Sequence, residues 1–294
     1  MTGTIQVCAL TCKPLIPNRF RCPLVTEEHK DDDAQSSLQS ALPVDEHVEE
    51  VSEDGKRVHR RGIYLLPNLF TMGALFAGFY AIVAAMNGVY DNAALAVFVA
   101  MGLDGLDGRV ARMTNTQSAF GAQLDSLSDM VSFGVAPALV VFSWGFGSLG
   151  RFGWAAAFIY MAGAALRLAR FNTQIESADS RFFTGLASPS GAALVAATVW
   201  LAVDNGYYGE NLPIAIAVVA CIMTALVGIL MVTNVPYHSF KGLDFKGRVP
   251  FAVALIIMLG FAVVSIDPPL ILLAMSGAYA LSGPVARLFQ LRKR

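Results

Sequence analysis

DGLDGRVARMTNTQSAFGAQLDSLSD, residues 104–129, puts four aspartates within or beside two long apolar segments. A carboxylate at membrane depth is costly, so each one needs a partner or a function. Asp104 and Asp107 are three residues apart on one expected helix, and Asp125 and Asp129 are four apart on the next. Both spacings place the pair on one face of an α-helix. Four facing carboxylates cannot all stay ionised without cations between them. Hard oxygen donors of this kind suit Mg²⁺, Mn²⁺ or Ca²⁺ rather than zinc. Arg109 and Arg112 follow on the same stretch, where a guanidinium can meet phosphate. The segment reads as a place where a metal-bound phosphate reacts.

Outward from this stretch, long apolar windows recur from Tyr64 to Phe289. The chain is 55% hydrophobic and only 15% charged, far from the balance of a soluble protein. Together these make it an all-α polytopic membrane protein. Eight helices are expected, at 65–86, 92–112, 119–144, 152–172, 185–203, 212–233, 249–266 and 269–289. Basic residues alternate between the connections. Lys56, Arg57, Arg60 and Arg61 precede the first helix, whereas NGVYD after it has no Lys or Arg. Arg167, Arg170 and Arg181, then Lys241, Lys246 and Arg248, then the terminal RKR, mark one side. DNGYYGEN and IDPP mark the other. The positive-inside rule puts both termini in the cytoplasm, so the aspartates open to the cytosol at headgroup depth.

The net charge of −1 conceals an asymmetry. Residues 1–55 carry 11 of the 22 acids, while residues 56–294 hold 17 Lys+Arg against 11 Asp+Glu. A basic membrane body suits anionic lipid and phosphate. The acidic stretch cannot bury enough apolar surface to fold alone, so residues 1–58 are expected to be a disordered tail and 59–294 the membrane domain. The tail has no apolar core followed by a small-residue cleavage site, and no signal peptide is expected. Cys8, Cys12 and Cys22 fit neither a zinc ribbon nor a CxxC redox pair. Glycine and alanine within the helices serve close packing. Gly105, Gly108, Ala111 and Gly121 share the acidic turns, where small residues let a ligand approach the backbone.

The string fits D-x2-D-G-x2-A-R-x8-G-x3-D-x3-D at Asp104, Asp107, Gly108, Ala111, Arg112, Gly121, Asp125 and Asp129. It thereby resembles the CDP-alcohol phosphotransferase family. LPNLFT (Leu66–Thr71), SDMVSFGVAPA (Ser128–Ala138), ALRLARFN (Ala165–Asn172), FTGLASP (Phe183–Pro189) and SFKGLDFKGRVPF (Ser239–Phe251) are similar to its bacterial, membrane-embedded phosphatidylserine synthase branch. Two features depart from that pattern: Ala187 stands where proline is expected, and the acidic tail is extra.

The resemblance implies a six-helix catalytic core and two divalent ions, Mg²⁺ or Mn²⁺, held by Asp104, Asp107, Asp125 and Asp129. It implies that Asp129 is also general base towards the acceptor hydroxyl. Asn68, Thr71, Gly108, Ala111, Arg112 and Ser118 are then contacts of CDP-diacylglycerol. The implied reaction joins CDP-diacylglycerol to L-serine, giving phosphatidylserine and CMP, in a homodimer of the bacterial cytoplasmic membrane surrounded by phospholipid, with no nucleic-acid partner. Arg167 and Arg170, three apart at a helix end, are candidates for the acceptor's carboxylate. The same pair could hold the phosphate of glycerol 3-phosphate or inositol phosphate. A cation-coupled transporter is the rival of another class, but such proteins favour repeats and midplane sites. Here the acids cluster towards one surface beside two arginines.

Overall fold

The computed structural model describes residues 51–53, 56–58, 65–114, 119–174, 182–238 and 251–292. The chain divides into two units, residues 1–59 and 60–294. In the first, β1 (Val51–Glu53) pairs antiparallel with β2 (Lys56–Val58), Val51 opposite Val58. Val51 and Val58 are β-branched residues that favour extended backbone, and the rest of the expected tail lies outside the described residues. The three tail cysteines lie outside the described residues.

The second unit is built almost entirely of helices: α1 (Leu65–Met86), α2 (Tyr90–Thr114), α3 (Ala119–Asp129), α4 (Ala136–Trp144), α5 (Arg151–Gln174), α6 (Ser188–Asp204), α7 (Ile214–Val232), α8 (Phe251–Val264) and α9 (Pro268–Arg292). A π-helical turn, Met130–Val135, joins α3 to α4 in one rod. Among the described residues there are thus eight helical rods. Each end lies within three residues of the expected position.

Five rods are long and apolar enough to cross a membrane: Asn68–Met86, Phe120–Trp144, Arg151–Thr173, Ile214–Val232 and Pro268–Arg287. The other three fall short for readable reasons. Near its end α2 carries Asp104, Asp107, Arg109 and Arg112, while α6 has 17 residues and α8 has 14.

Small residues let the rods approach closely. Ala74, Ala77, Ala81, Ala84 and Ala85 recur at helical spacing on α1 and are buried, as are Ala93, Ala94, Val97 and Ala100 on α2, the helix α1 packs against most extensively. The opposite face of α1 exposes Leu69, Phe76, Phe79, Val83 and Met86, an apolar surface suited to lipid. Between α5 and α7 the approach is backbone to backbone. A Cβ on Gly163 would overlap the Gly228 carbonyl, and one on Gly228 would come within 2.6 Å of Tyr160 Cα.

The expected start of the fifth rod at residue 185 is corrected. Phe182–Thr184 forms β3, paired antiparallel with β4 (Pro236–His238), and α6 begins only at Ser188. Gly185 holds φ +87°, a conformation that breaks a helix, and its position leaves no room for a Cβ against the Met231 carbonyl. Ala187, the departure from the family's proline, has φ −62° and ψ 135°, backbone that proline also adopts.

Gly163→Ala and Gly228→Ala should each destabilise the bundle by roughly 1–3 kcal/mol, because neither close approach can yield to a side-chain rotation. Gly277→Ala, whose Cβ would meet only Leu194 at 3.8 Å, is the control. Thermal midpoints in detergent check the difference.

Candidate active site

The acidic site is assembled by α1, α2 and α3. Asp104 and Asp107 lie one turn apart near the end of α2, and Asp125 reaches them from α3. One carboxylate oxygen from each of the three lies within 4.8 Å of the others. Asp129, at the last position of α3, lies beside Asp104 and within electrostatic reach of Asp125. The expected quartet therefore converges, as a triad with the fourth acid beside one of its members.

Neutral donors from α1 and α3 hold this arrangement. Thr71 Oγ1 donates to Asp107 Oδ2 at 2.8 Å, a bond buried between helices. Ser128 Oγ, beside Asp129, donates to the Thr71 carbonyl at 3.1 Å. Two further rungs follow along the same rods: Ser132 Oγ to the Ala74 carbonyl at 3.0 Å, and Ser143 Oγ to the Ala85 carbonyl at 2.9 Å. The partners advance together along the chain, so α1 and the α3–α4 rod run parallel in fixed register. Gly78 makes this possible, since a Cβ there would press on the Ser132 backbone.

The donor set fits a divalent cation. Three carboxylates from two helices supply hard oxygen ligands at bridging distances. Asp125 Oδ1 is buried with no hydrogen-bond partner, an orphaned acceptor of the kind that a cation satisfies. On the same stretch of α2, Gly105 and Gly108 face open space: a Cβ on either would meet nothing within 4 Å. A phosphate group can thus come against the α2 backbone next to the acids.

The other candidates divide into groups. Asn68 is half-buried, one turn before Thr71 on α1. Ala111 and Arg112 continue α2 beyond Gly108, their side chains outside the described set. Ser118, Arg181, Lys241, Lys246 and Arg248 lie outside the described residues.

Arg167 and Arg170 share the end of α5 but not the same partners. Arg167 donates to Ser188 Oγ at the start of α6, and its charge interacts with Asp129 and with Tyr279 of α9. Arg170 instead donates to the Val232 carbonyl at 3.1 Å and to Asn234 Oδ1 at 2.7 Å, where a cation meets the C-terminal end of α7. Arg287 of α9 donates to the Asn234 carbonyl at 2.8 Å, tying the same loop to a third helix. Of the pair, Arg167 is therefore the one that reaches the acids.

Sequence reading missed the polar supports. The signal for them was present: Ser128 and Ser132 stand four apart around Asp129, and Pro137 interrupts an otherwise continuous apolar run.

The CDP-alcohol phosphatidyltransferase family model matches residues 64–226, and the chain belongs to that family. Among similar proteins is the CDP-diacylglycerol–serine O-phosphatidyltransferase of Helicobacter pylori, 35% identical over 234 residues, covering 79% of this chain and 94% of the relative. The enzyme of that name from Mycobacterium bovis is 31% identical over 241 residues, covering 79% and 82%. The one from Methanocaldococcus jannaschii is 33% identical over 185 residues, covering 63% and 79%.

Thr71→Val keeps the shape of the buried threonine and removes its donor to Asp107. Loss of such a support should raise the divalent-ion concentration for half-maximal activity by roughly tenfold. Activity titrations with Mg²⁺ or Mn²⁺ measure it.

Proposed function

We propose that this chain transfers the phosphatidyl group of CDP-diacylglycerol to the hydroxyl of L-serine, giving phosphatidylserine and CMP. The observation that carries this assignment is the convergence of Asp104, Asp107 and Asp125 beside an open α2 face, in a chain similar along most of its length to serine-transferring enzymes. The reaction forms a bond from the serine hydroxyl oxygen to the phosphorus nearer the lipid. The bond from that phosphorus to the CMP oxygen breaks, and CMP departs with the electron pair.

Asp104, Asp107, Asp125 and Asp129 are the ligands of Mg²⁺ or Mn²⁺, two ions per site. When bound, such ions neutralise charge on the pyrophosphate and on the leaving CMP. Asp129 also takes the proton of the serine hydroxyl, a role its place at the edge of the triad supports. Asn68, Thr71, Gly108, Ala111, Arg112 and Ser118 line the path of the nucleotide-lipid, with Arg112 offering a bidentate phosphate contact. Arg167, adjoining Asp129 and Ser188, receives the acceptor carboxylate, while Arg170 braces the loop at Asn234. The diacyl tails stay in the bilayer.

The charge alternation of the connecting segments supports a cytoplasmic site and cytoplasmic termini in a bacterial inner membrane. The protomers pair as a homodimer. Residues 1–58 are the polar N-terminal tail and residues 59–294 the membrane domain.

The test is purified protein with CDP-diacylglycerol, a divalent ion and competing L-serine, glycerol 3-phosphate and inositol phosphate. Phosphatidylserine and CMP should appear in equal amounts, and omitting serine should stop both. Reaction with either phosphorylated acceptor but not serine would overturn the acceptor. Ion flux in proteoliposomes without CMP release would overturn the enzyme. Asp129→Asn should lower kcat by at least about a hundredfold while CDP-diacylglycerol binding persists. Wild-type turnover in that variant removes Asp129 from the chemistry.

A further inference from the structure

One buried hydroxyl outside the acidic cluster has no part in the chemistry described so far, yet its bond ends four residues from Asp129. Pro137 lies inside the rod that runs from α3 to α4. In an unbroken α-helix its nitrogen would bond the Phe133 carbonyl, but proline has no N–H and its ring crowds that oxygen. The chain responds with the π turn, in which the Ala136 N–H reaches back five residues to the Val131 carbonyl. Proline then occupies the first turn of α4, where it is tolerated. Opening the turn leaves the Phe133 carbonyl facing a dry interior, since Phe133 and Tyr160 are both fully buried. The Tyr160 hydroxyl of α5 donates to that carbonyl at 2.8 Å. Ser132 in the same turn is tied to Ala74 of α1. The turn is thus gripped from two sides, by α1 and by α5.

A π turn carries an extra residue, so it changes the rotation of everything before it relative to everything after it. Asp129 is the residue directly before this turn, and Asp125 lies one turn earlier. If the turn relaxed to α-helical geometry, both carboxylates would swing about the rod axis relative to α4.

We infer that Tyr160 is a positioning residue: its hydroxyl bond to the Phe133 carbonyl keeps the Pro137 π turn open and so aims Asp129 into the acidic cluster. This deepens, and rests on, the assignment of Asp129 above. Its hydroxyl bonds the Phe133 carbonyl, and it acts only through the turn.

The experiment uses the full-length chain in detergent with CDP-diacylglycerol, L-serine and Mg²⁺. Tyr160→Phe keeps the ring and removes the donor. It should lower kcat by roughly tenfold to a hundredfold, the scale of a small misplacement of a reacting group. KM for both substrates should stay within about twofold of wild type, because neither binding surface changes. A purely structural tyrosine would lower the thermal midpoint while kcat per folded enzyme stayed at the wild-type value, and that result overturns the inference.

Pro137→Ala offers the second test by restoring an N–H that can bond the Phe133 carbonyl and close the turn. It should lower kcat similarly, and adding Tyr160→Phe should cost nothing more, since both act on one element. Losses that multiply overturn the inference. Should Tyr160→Phe fail to fold, Pro137→Ala decides alone: lowered kcat supports the inference and wild-type kcat overturns it. Asp129→Asn in the same assay separates the two claims. An active Asp129→Asn breaks the assignment of the base, whereas an inactive one beside a fully active Tyr160→Phe breaks only the present inference.

Discussion

Like charges are forced together in this molecule, and the rest of the structure follows from that constraint. At 4.8 Å, two ionised carboxylates repel by roughly 3 kcal/mol at an effective dielectric of about 20, and three of them do so pairwise. No helix bundle would converge on such a point by hydrophobic packing alone. Here the convergence is held by neutral groups: the Thr71 hydroxyl on Asp107 and the Ser128 hydroxyl on the Thr71 carbonyl. The pre-assembled oxygen cage means that a cation meets ligands already in place, and little ordering is left to do when it arrives.

Donor and acceptor sides draw on different parts of the chain. The acids and their supports lie on α1 to α4, inside residues 64–226 matched by the family model. The arginine side depends also on β4 and α9, beyond that segment. Arg170 and Arg287 meet at Asn234, Arg167 interacts with Tyr279, and Tyr279 packs on Tyr237 with ring centroids 5.5 Å apart. Tyr237 in turn donates to the Ala280 carbonyl and leaves room at Gly283 only for a hydrogen.

Most of the fold was legible because its signals are strong and local. Runs of about twenty apolar residues fix rods, and the i,i+3 and i,i+4 aspartates fix the faces that must meet. Those two facts point the acids at one another, and the structure brings Asp104, Asp107 and Asp125 within 4.8 Å, with Asp129 next to Asp104. What escaped was tertiary. The β3–β4 pair joins residues more than fifty positions apart, and no periodicity announces such short strands. The π turn needed Pro137 to be read as a register change instead of a tolerated kink. Tyr160 looked like one more aromatic in an apolar helix; only its partner across the interface gives its hydroxyl a purpose. Arg167 and Arg170 looked equivalent by spacing, yet they diverge because one meets the start of α6 at Ser188 and the other the end of α7 at Val232.

The serine rungs between α1 and the α3–α4 rod have a mechanical consequence. Hydroxyl-to-carbonyl bonds in hydrocarbon have no water to exchange with, so sliding one rod past the other would break Ser128, Ser132 and Ser143 contacts at once. The two rods must therefore tilt as a single plank when the bilayer thins or thickens.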